Sequence, residues 1–185
     1  MKFGGDNINL STQQFVDCVS SSKGCNGGWP AYALQYAMET GLVEESKYPY
    51  QGKDQTCNAN AVQNNPKYKI QNYVSCGGDA CTDDKWYELL SKGPVIVTID
   101  GSSWKLQLYM FGVIYMSKSD CVAENHAVYA YGWARRNTFW NTDEYIRLRN
   151  SWGVTWGEFG NFNIAYKPDD NRSCFITNNG FLPVA

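Results

Sequence analysis

The sequence predicts an α+β fold in which the helices come first and the strands second. Helix start and stop signals occupy the first half of the chain, whereas apolar runs typical of strands begin after Pro94. A hydrophobic fraction of 43% in 185 residues is enough for a core in one or two compact domains. We therefore predict a helical domain over residues 1–92 and a strand-rich domain over residues 93–185.

Two helices are predicted in the first 41 residues. Ser11 is followed three residues later by Gln14, which is a capping-box pattern that predicts a helix over residues 12–19. Pro30 is favoured as a first helical residue and Gly41 as a helix stop. Apolar residues at helical spacing lie between them, so this segment is predicted to form the second helix.

A third helix is predicted just before the strands. Thr82 is a favoured N-cap, and Gly93-Pro94 should end the helix that begins after it, at about residue 91. Residues 48–80 are rich in Asn, Gly, Gln and Pro and show little periodicity. We predict that they form a loop over the helical core.

Four strands are predicted after Pro94, over residues 95–100, 126–133, 143–150 and 159–166. His126, the only histidine in the chain, opens the second of them, and Asn150 ends an apolar face of the third. A histidine and an asparagine at adjacent strand ends can hydrogen-bond through the asparagine carbonyl, which fixes the imidazole tautomer. For a lone histidine, a purely structural role in the core is the ordinary alternative.

The charge balance gives no electrostatic reason to expect nucleic acid or an anionic membrane as a partner. Sixteen basic and eighteen acidic residues leave a net charge of -2, so nothing in the composition favours nucleic acid or an anionic membrane. No apolar run approaches the roughly 18 residues that a membrane-spanning helix needs.

The cysteines indicate disulfides and an oxidising compartment. Seven cysteines lie at long separations, without a CxxC pair and without a histidine close to a cysteine pair. This pattern disfavours a zinc site, and no other metal or organic cofactor is indicated. The odd count leaves one thiol without a partner, and the residues after Met1 lack the apolar stretch of a signal peptide. Both features predict a further segment upstream of Met1.

Six sequence runs together resemble the papain family of cysteine peptidases, in order along nearly the whole chain. They are LSTQQFVDC (10–18), GCNGGWP (24–30), YPY (48–50), GPVIVTID (93–100), NHAV (125–128) and NSWGVTWGEFG (150–160). The resemblance implies a two-domain fold, with a helical left domain and an antiparallel β-barrel as the right domain. It also implies peptide-bond hydrolysis at a Cys-His-Asn site.

The resemblance assigns roles to residues around the expected cleft. His126 is similar to the general acid/base, Asn150 to the residue that orients it, and Trp152 to the indole that shields the pair. Gly27 and Gly28 resemble the strip whose backbone binds a substrate peptide, because glycine lets two backbones approach closely. The walls and floor of the main specificity pocket are expected at Trp29, Pro30, Thr98, Ala127 and Asn179, and the Asn179 amide should make the floor polar.

The resemblance also implies disulfides Cys18–Cys57 and Cys121–Cys174. Cys76 and Cys81 have no clear counterpart in the family. We expect them to pair with each other and to close a small local loop. Cys25 is similar to a structural cysteine whose partner is missing from this chain, and not to the nucleophile.

The family's nucleophile lies in a CGSCW-like run at the start of a central helix, and no such run is present in this chain. The resemblance therefore predicts an amino-terminally truncated chain that lacks the central helix and is inactive by itself. The missing amino-terminal segment or a companion chain should fill the slot of that helix. Two functions remain open: the larger part of an active peptidase that cleaves peptide or protein substrates, or a pseudopeptidase that serves as a structural or binding subunit. The family and the disulfides imply a lysosomal, vacuolar or secreted location.

Overall fold

The computed structural model describes residues 2–3, 6–137, 142–166 and 173–185. Residues 1–73 together with 183–185 form one compact unit, and residues 74–182 form a second. The predicted boundary at residues 92–93 differs from this division, because the third predicted helix packs into the core of the second unit. In the part of the chain that the structure describes, no helix is long and apolar enough to cross a membrane.

The first unit is built on short elements. They are the strands β1 (Lys2–Phe3) and β2 (Asp6–Asn7), which pair with each other, and the helices α1 (Thr12–Cys18), α2 (Pro30–Glu39) and α3 (Ala59–Gln63).

Only one of the two hydrogen bonds of a capping box is present at the start of α1. The Ser11 hydroxyl accepts a hydrogen bond from the Gln14 backbone N–H at 3.0 Å, as the capping pattern requires. The reciprocal bond of a capping box is absent: the Ser11 N–H donates to the Val43 carbonyl, and the buried Gln14 amide donates to Gly41 and accepts from the Val43 N–H. The prediction of a reciprocal box was wrong because Gln14 is drawn into the interior, where it satisfies backbone groups that water cannot reach.

The prediction of a loop over residues 48–80 was also wrong in part. Helix α3 lies within it and begins after Asn58, whose side chain accepts from the Ala61 N–H at 3.1 Å. Val62 on this helix packs with Val43 and Tyr48 in the core of the first unit. A five-residue helix carries too little periodicity to stand out from a polar sequence, so its stability comes from tertiary packing.

The second unit contains a six-stranded sheet in the order β3-β8-β4-β5-β6-β7. The strands are β3 (Asn72–Gly77), β4 (Val95–Ile99), β5 (His126–Asn137), β6 (Thr142–Arg149), β7 (Asn161–Ala165) and β8 (Asn179–Val184). The helices are α4 (Asp83–Lys92) and α5 (Trp104–Gln107). The four predicted strands correspond to β4, β5, β6 and β7, whereas β3, β8 and α5 were not assigned from the sequence. The strand order has two ends, β3 and β7, so closure into a barrel stays a prediction.

Helix α4 anchors the core of the second unit. It begins after Thr82, whose hydroxyl accepts from the Lys85 N–H, as predicted. Trp86 and Leu89 are fully buried against the sheet core, and the Trp86 indole N–H donates to the Thr177 carbonyl at 3.2 Å. The buried indole thus combines a large apolar contact with a satisfied polar group.

Replacing Trp86 by Phe should destabilise the protein, whereas the same change at Trp104 should not. Trp86→Phe removes the donor to the Thr177 carbonyl and leaves a void, which should lower the free energy of unfolding by about 1–3 kcal/mol. Trp104 is 64% exposed, so Trp104→Phe should change it by less than about 0.5 kcal/mol. Urea unfolding measures both variants, and equal losses would contradict the packing of α4 described here.

Candidate active site

The sheet brings His126 and Asn150 together. His126 is the first residue of β5, and Asn150 directly follows β6. The two strands pair antiparallel, with Tyr129 opposite Arg149, so the start of one lies beside the end of the other. His126 Nε2 and Asn150 Oδ1 are 2.8 Å apart, which is a hydrogen-bond distance.

A second hydrogen bond identifies the tautomer of this imidazole. Asn150 Oδ1 also lies 2.8 Å from the backbone nitrogen of Ser151, and a backbone N–H can only donate. The asparagine atom that faces both groups must therefore be the oxygen, and an amide oxygen can only accept. It follows that His126 Nε2 carries a proton. In the neutral ring the lone pair is then on Nδ1, which is free to take a proton.

Asn150 is held in this orientation at a cost. The residue is only 6% exposed, and its Nδ2 has no hydrogen-bond acceptor among the described residues. A buried donor without an acceptor costs about 1–3 kcal/mol. Turning the amide over would place Nδ2 against the Ser151 N–H, donor against donor, so the oxygen-inward orientation is the better one.

Trp152 packs against the imidazole, as expected for a shielding residue. The two ring centroids are 5.2 Å apart and the rings are tilted by 30°. Trp152 is itself 36% exposed. Its ring also packs against that of Trp156 in an edge-to-face arrangement, with the two ring centroids 5.0 Å apart. Trp156 in turn contacts the fully buried Phe162. A row of aromatic rings thus connects the histidine to the core of the second unit.

Glu158 holds the segment that carries these tryptophans, and the sequence analysis gave it no role. Its carboxylate accepts from the Gly112 N–H at 2.8 Å and from the Tyr109 hydroxyl at 3.0 Å. Burial first, and the Glu158 carboxylate next, raise the pKa of Tyr109 above its ordinary value, so its hydroxyl remains a donor even in mildly alkaline solution. The Trp156 indole N–H also donates to the Gln107 carbonyl. The segment after Asn150 is therefore tied to the segment after α5.

Gly101 lies against the histidine. A Cβ at residue 101 would come within 2.7 Å of the His126 Cβ and 3.0 Å of its Cγ. The Gly101 N–H donates to the side chain of Asn125 at 2.8 Å, which keeps the loop in this close position. The requirement for glycine here is a tertiary contact, so nothing in the local sequence announced it.

Asp100 organises the loop beside the histidine and was not singled out either. It is 1% exposed, and burial on its own raises its pKa. Hydrogen bonds from the Ser102 hydroxyl and from backbone N–H groups outweigh that effect and hold the pKa of Asp100 well below its usual range. Its donors are the backbone N–H groups of Ser102, Val122 and Ala123, the Ser102 hydroxyl and the Asn125 amide.

The residues assigned to the specificity pocket fall into two groups. Thr98 and Ala127 are opposite each other on β4 and β5, and Asn179 begins β8, all in the second unit. The side chains of Thr98 and Asn179 both donate to the carboxylate of Glu124.

The remaining assigned residues lie in the first unit. Gly27 and Gly28 are exposed, Trp29 occupies the N-cap of α2, and Pro30 is its first residue. Gly27 has a φ of 107°, which disfavours any residue with a Cβ. The substrate-binding roles of both groups stay predictions.

Six cysteines form disulfides in the structure, at Cys18–Cys57, Cys76–Cys81 and Cys121–Cys174. Cys25 is the free thiol of the described residues and is exposed. Its backbone N–H donates to the Asp54 carboxylate at 2.6 Å. Desolvation first, and this carboxylate next, raise the pKa of the Cys25 thiol. Among the described residues, no group of three or more His, Cys, Asp or Glu is placed to hold a metal ion.

Comparison with known proteins identifies relatives of this chain. The family model described as papain family cysteine protease matches residues 1–184. Cathepsin K of Mus musculus is 33% identical over 97% of this chain and 52% of its own length. The chain spans about half the length of cathepsin K and of the putative cathepsin L 3 of Paramecium tetraurelia.

Solved structures agree with the predicted fold class. The Carica candamarcensis cysteine protease CMS1MS2, in complex with E-64, superposes with a TM-score of 0.84 at 28% identity, over 98% of this chain and 79% of that one. Bromelain of Ananas comosus, in complex with the E64 inhibitor, gives 0.84 at 29% identity, over 98% and 80%. These matches show a papain-like α+β fold. They do not support the expectations of a truncated chain, of inactivity or of a companion chain, and Cys25 is present as an exposed thiol.

Adding a methyl group at Gly101 should disturb the histidine. Gly101→Ala places its Cβ against the His126 Cβ, and such overpacking should cost about 1–3 kcal/mol of unfolding free energy. Gly132 on β5 is the matched control, because a Cβ there would lie 3.7 Å from Arg147, an ordinary contact. Urea unfolding of both alanine variants checks this, and a Gly101→Ala protein as stable as Gly132→Ala would contradict the close approach.

Proposed function

Because this chain belongs to the papain family of cysteine proteases, we propose that it takes part in peptide-bond hydrolysis at a thiol–imidazole site. The observation that carries this proposal is the hydrogen bond between His126 Nε2 and Asn150 Oδ1. It leaves Nδ1 as the basic nitrogen of a ring held in one orientation. A positioned imidazole of this kind is what general acid–base catalysis requires.

In this mechanism His126 moves the protons and a cysteine thiolate forms the bonds. Nδ1 takes the thiol proton, and the thiolate attacks the carbonyl carbon of the scissile bond, giving a tetrahedral oxyanion. Collapse breaks the C–N bond, and the leaving amine takes the proton from Nδ1, which leaves an acyl-thioester. Nδ1 then takes a proton from water, hydroxide attacks the thioester, and the thiol is regenerated with release of the acid.

Asn150 and Trp152 act through the histidine. Asn150 accepts from Nε2 in both protonation states of the ring, so it stabilises the imidazolium that forms in each half of the reaction. Trp152 covers one face of the ring and limits competition by water for that hydrogen bond. Both are positioning residues, since neither contacts the reacting atoms in this mechanism.

In the first unit, the exposed backbone of Gly27 and Gly28 would bind a peptide substrate, next to Trp29 and Pro30. In the second unit, Thr98, Ala127 and Asn179 would contact a substrate side chain. Disulfides and the likeness to cathepsins support a lysosomal, vacuolar or secreted location for this activity.

The nucleophile in this proposal is a cysteine other than Cys25. A nucleophilic thiol needs a positive neighbour or a helix N-terminus to lower its pKa, whereas Cys25 lies beside a carboxylate: its backbone N–H donates to Asp54 at 2.6 Å. Desolvation first, and the Asp54 carboxylate next, raise the pKa of the Cys25 thiol. The six other cysteines are in disulfides. The thiolate would then belong to a segment outside these 185 residues, on the same precursor or on a companion chain. A papain-like fold that never acquires this thiol would serve as a binding subunit.

Covalent labelling tests both the activity and the identity of the nucleophile. The native protein, purified from the cells that make it, is treated with a thiol-directed peptidyl epoxide, and the labelled residue is found by mass spectrometry. We expect one labelled cysteine, unchanged labelling in Cys25→Ser, and at least about a hundredfold slower labelling in His126→Ala.

Two outcomes of this experiment would contradict parts of the proposal. A label on Cys25 would overturn our assignment of the nucleophile and leave the peptidase function standing. No label and no peptide hydrolysis by the native protein would overturn the peptidase function in favour of the binding subunit.

A further inference from the structure

A three-residue motif for N-glycosylation lies between β2 and α1. Asn9-Leu10-Ser11 has the form Asn-x-Ser, in which the middle residue is not proline. The motif marks an asparagine that can receive an oligosaccharide in a protein of the secretory pathway. A second such triplet begins at Asn171, which lies outside the described residues. Because so short a motif also arises by chance, the surroundings of Asn9 decide whether it can be used.

The side chain of Asn9 is available, whereas its backbone is fixed. Asn9 is exposed, and its carbonyl accepts a hydrogen bond from the Glu45 N–H at 2.8 Å. The next residue, Leu10, pairs with Glu44 in an isolated β-bridge. These contacts use main-chain atoms, so an oligosaccharide attached to the Asn9 side chain would extend into solvent without displacing them.

Ser11, the third residue of the motif, is enclosed in the folded chain. It is 0% exposed, and its hydroxyl donates to the Tyr48 carbonyl at 2.6 Å and accepts from the Gln14 N–H at 3.0 Å. Its backbone N–H donates to the Val43 carbonyl at 2.9 Å. The transferase that glycosylates asparagine has to contact this hydroxyl, since the motif requires serine or threonine there. The folded chain therefore presents the acceptor side chain and withholds the hydroxyl.

Disulfide formation acts on the same part of the chain. The Cys18–Cys57 bond joins the end of α1 to the segment before α3, and the Tyr48 hydroxyl donates to Asp17 on α1 at 2.8 Å. Disulfides form in the secretory pathway, where N-linked oligosaccharides are also attached. Each bond that holds α1 against the segment carrying Tyr48 also keeps the Ser11 hydroxyl enclosed.

We propose that Asn9 is an N-glycosylation site, and that its oligosaccharide is attached before folding encloses the Ser11 hydroxyl. The co-reactant is an oligosaccharide carried on a lipid pyrophosphate. The side-chain nitrogen of Asn9 forms a bond to the first sugar carbon, and the bond from that carbon to the phosphate oxygen breaks. The amide gives up one proton, and the lipid pyrophosphate is the leaving group. This site lies beyond the proposed peptidase function and does not depend on it.

A purely structural role accounts for only part of the motif. Ser11 caps α1, so helix capping alone would explain a serine at this position. The hydrogen bond of Asn9 to Glu45 is made by the backbone carbonyl, and any residue could provide it. Capping therefore leaves the asparagine two residues before the cap unexplained, which makes Asn9→Gln the informative substitution.

Mass spectrometry of the native protein tests the site. The protein is purified from the cells that make it, and a peptide N-glycosidase, which converts a glycosylated asparagine to aspartate, is applied to half of the sample. We expect aspartate at residue 9 in the treated half alone. Asn9→Gln should remove one oligosaccharide from the intact protein, whereas Asn171→Gln, the matched control, should leave the modification of Asn9 unchanged. Asparagine at residue 9 in both halves would overturn the proposal, and this readout needs no variant to fold.

A transferase assay tests the order of the two events. Protein made in cells in which synthesis of the lipid-linked oligosaccharide is inhibited is incubated with microsomal membranes and that donor, either folded or after reduction and unfolding. Attachment to Asn9 should be at least about tenfold greater in the unfolded chain, because the folded chain must open locally to release Ser11. Equal attachment to both forms would overturn the proposed order, and no attachment to either form would overturn Asn9 as an acceptor.

Discussion

The hydrogen bond from His126 Nε2 to Asn150 Oδ1 is the constraint on which the functional account of this protein depends. It places the proton on one ring nitrogen and the lone pair on the other. Without it, the imidazole could rotate or exchange tautomers, and Nδ1 would not be presented consistently as a base. The buried Asn150 Nδ2, which lacks an acceptor among the described residues, is the energetic cost of keeping the oxygen in this position.

The second unit supports this bond from several sides. The antiparallel pairing of β5 with β6 brings His126 and Asn150 to the same end of the sheet. The loop that contains Asp100 and Gly101 packs against His126. Glu158 secures the aromatic segment that covers the ring. The same end of the sheet carries the Glu124 carboxylate, just before β5, where it accepts from the side chains of Thr98 and Asn179.

The sequence predicted the elements that have strong local signals. Thr82 and Pro30 mark the starts of α4 and α2, and apolar alternation marks four strands, because caps and periodicity are properties of neighbouring residues. Helix α3 was missed because it is short and polar. Gln14 was misassigned because its partners come from residues 41 and 43, which local sequence does not bring close.

The residues of the candidate site also divide into those with a signal in the sequence and those without one. His126, Asn150 and Trp152 were found from motif resemblance and strand position, whereas Gly101, Asp100 and Glu158 were missed because each acts through a contact made only in the folded chain. The tautomer of His126 is the claim that the rest depends on, and it can be measured directly. Since the chain has one histidine, ¹⁵N-histidine labelling gives a single ring in NMR spectra. At a pH where the ring is neutral, we predict a protonated Nε2 and an unprotonated Nδ1, with this preference lost in Asn150→Ala. A proton on Nδ1, or an equal mixture of tautomers in the unaltered protein, would contradict the account.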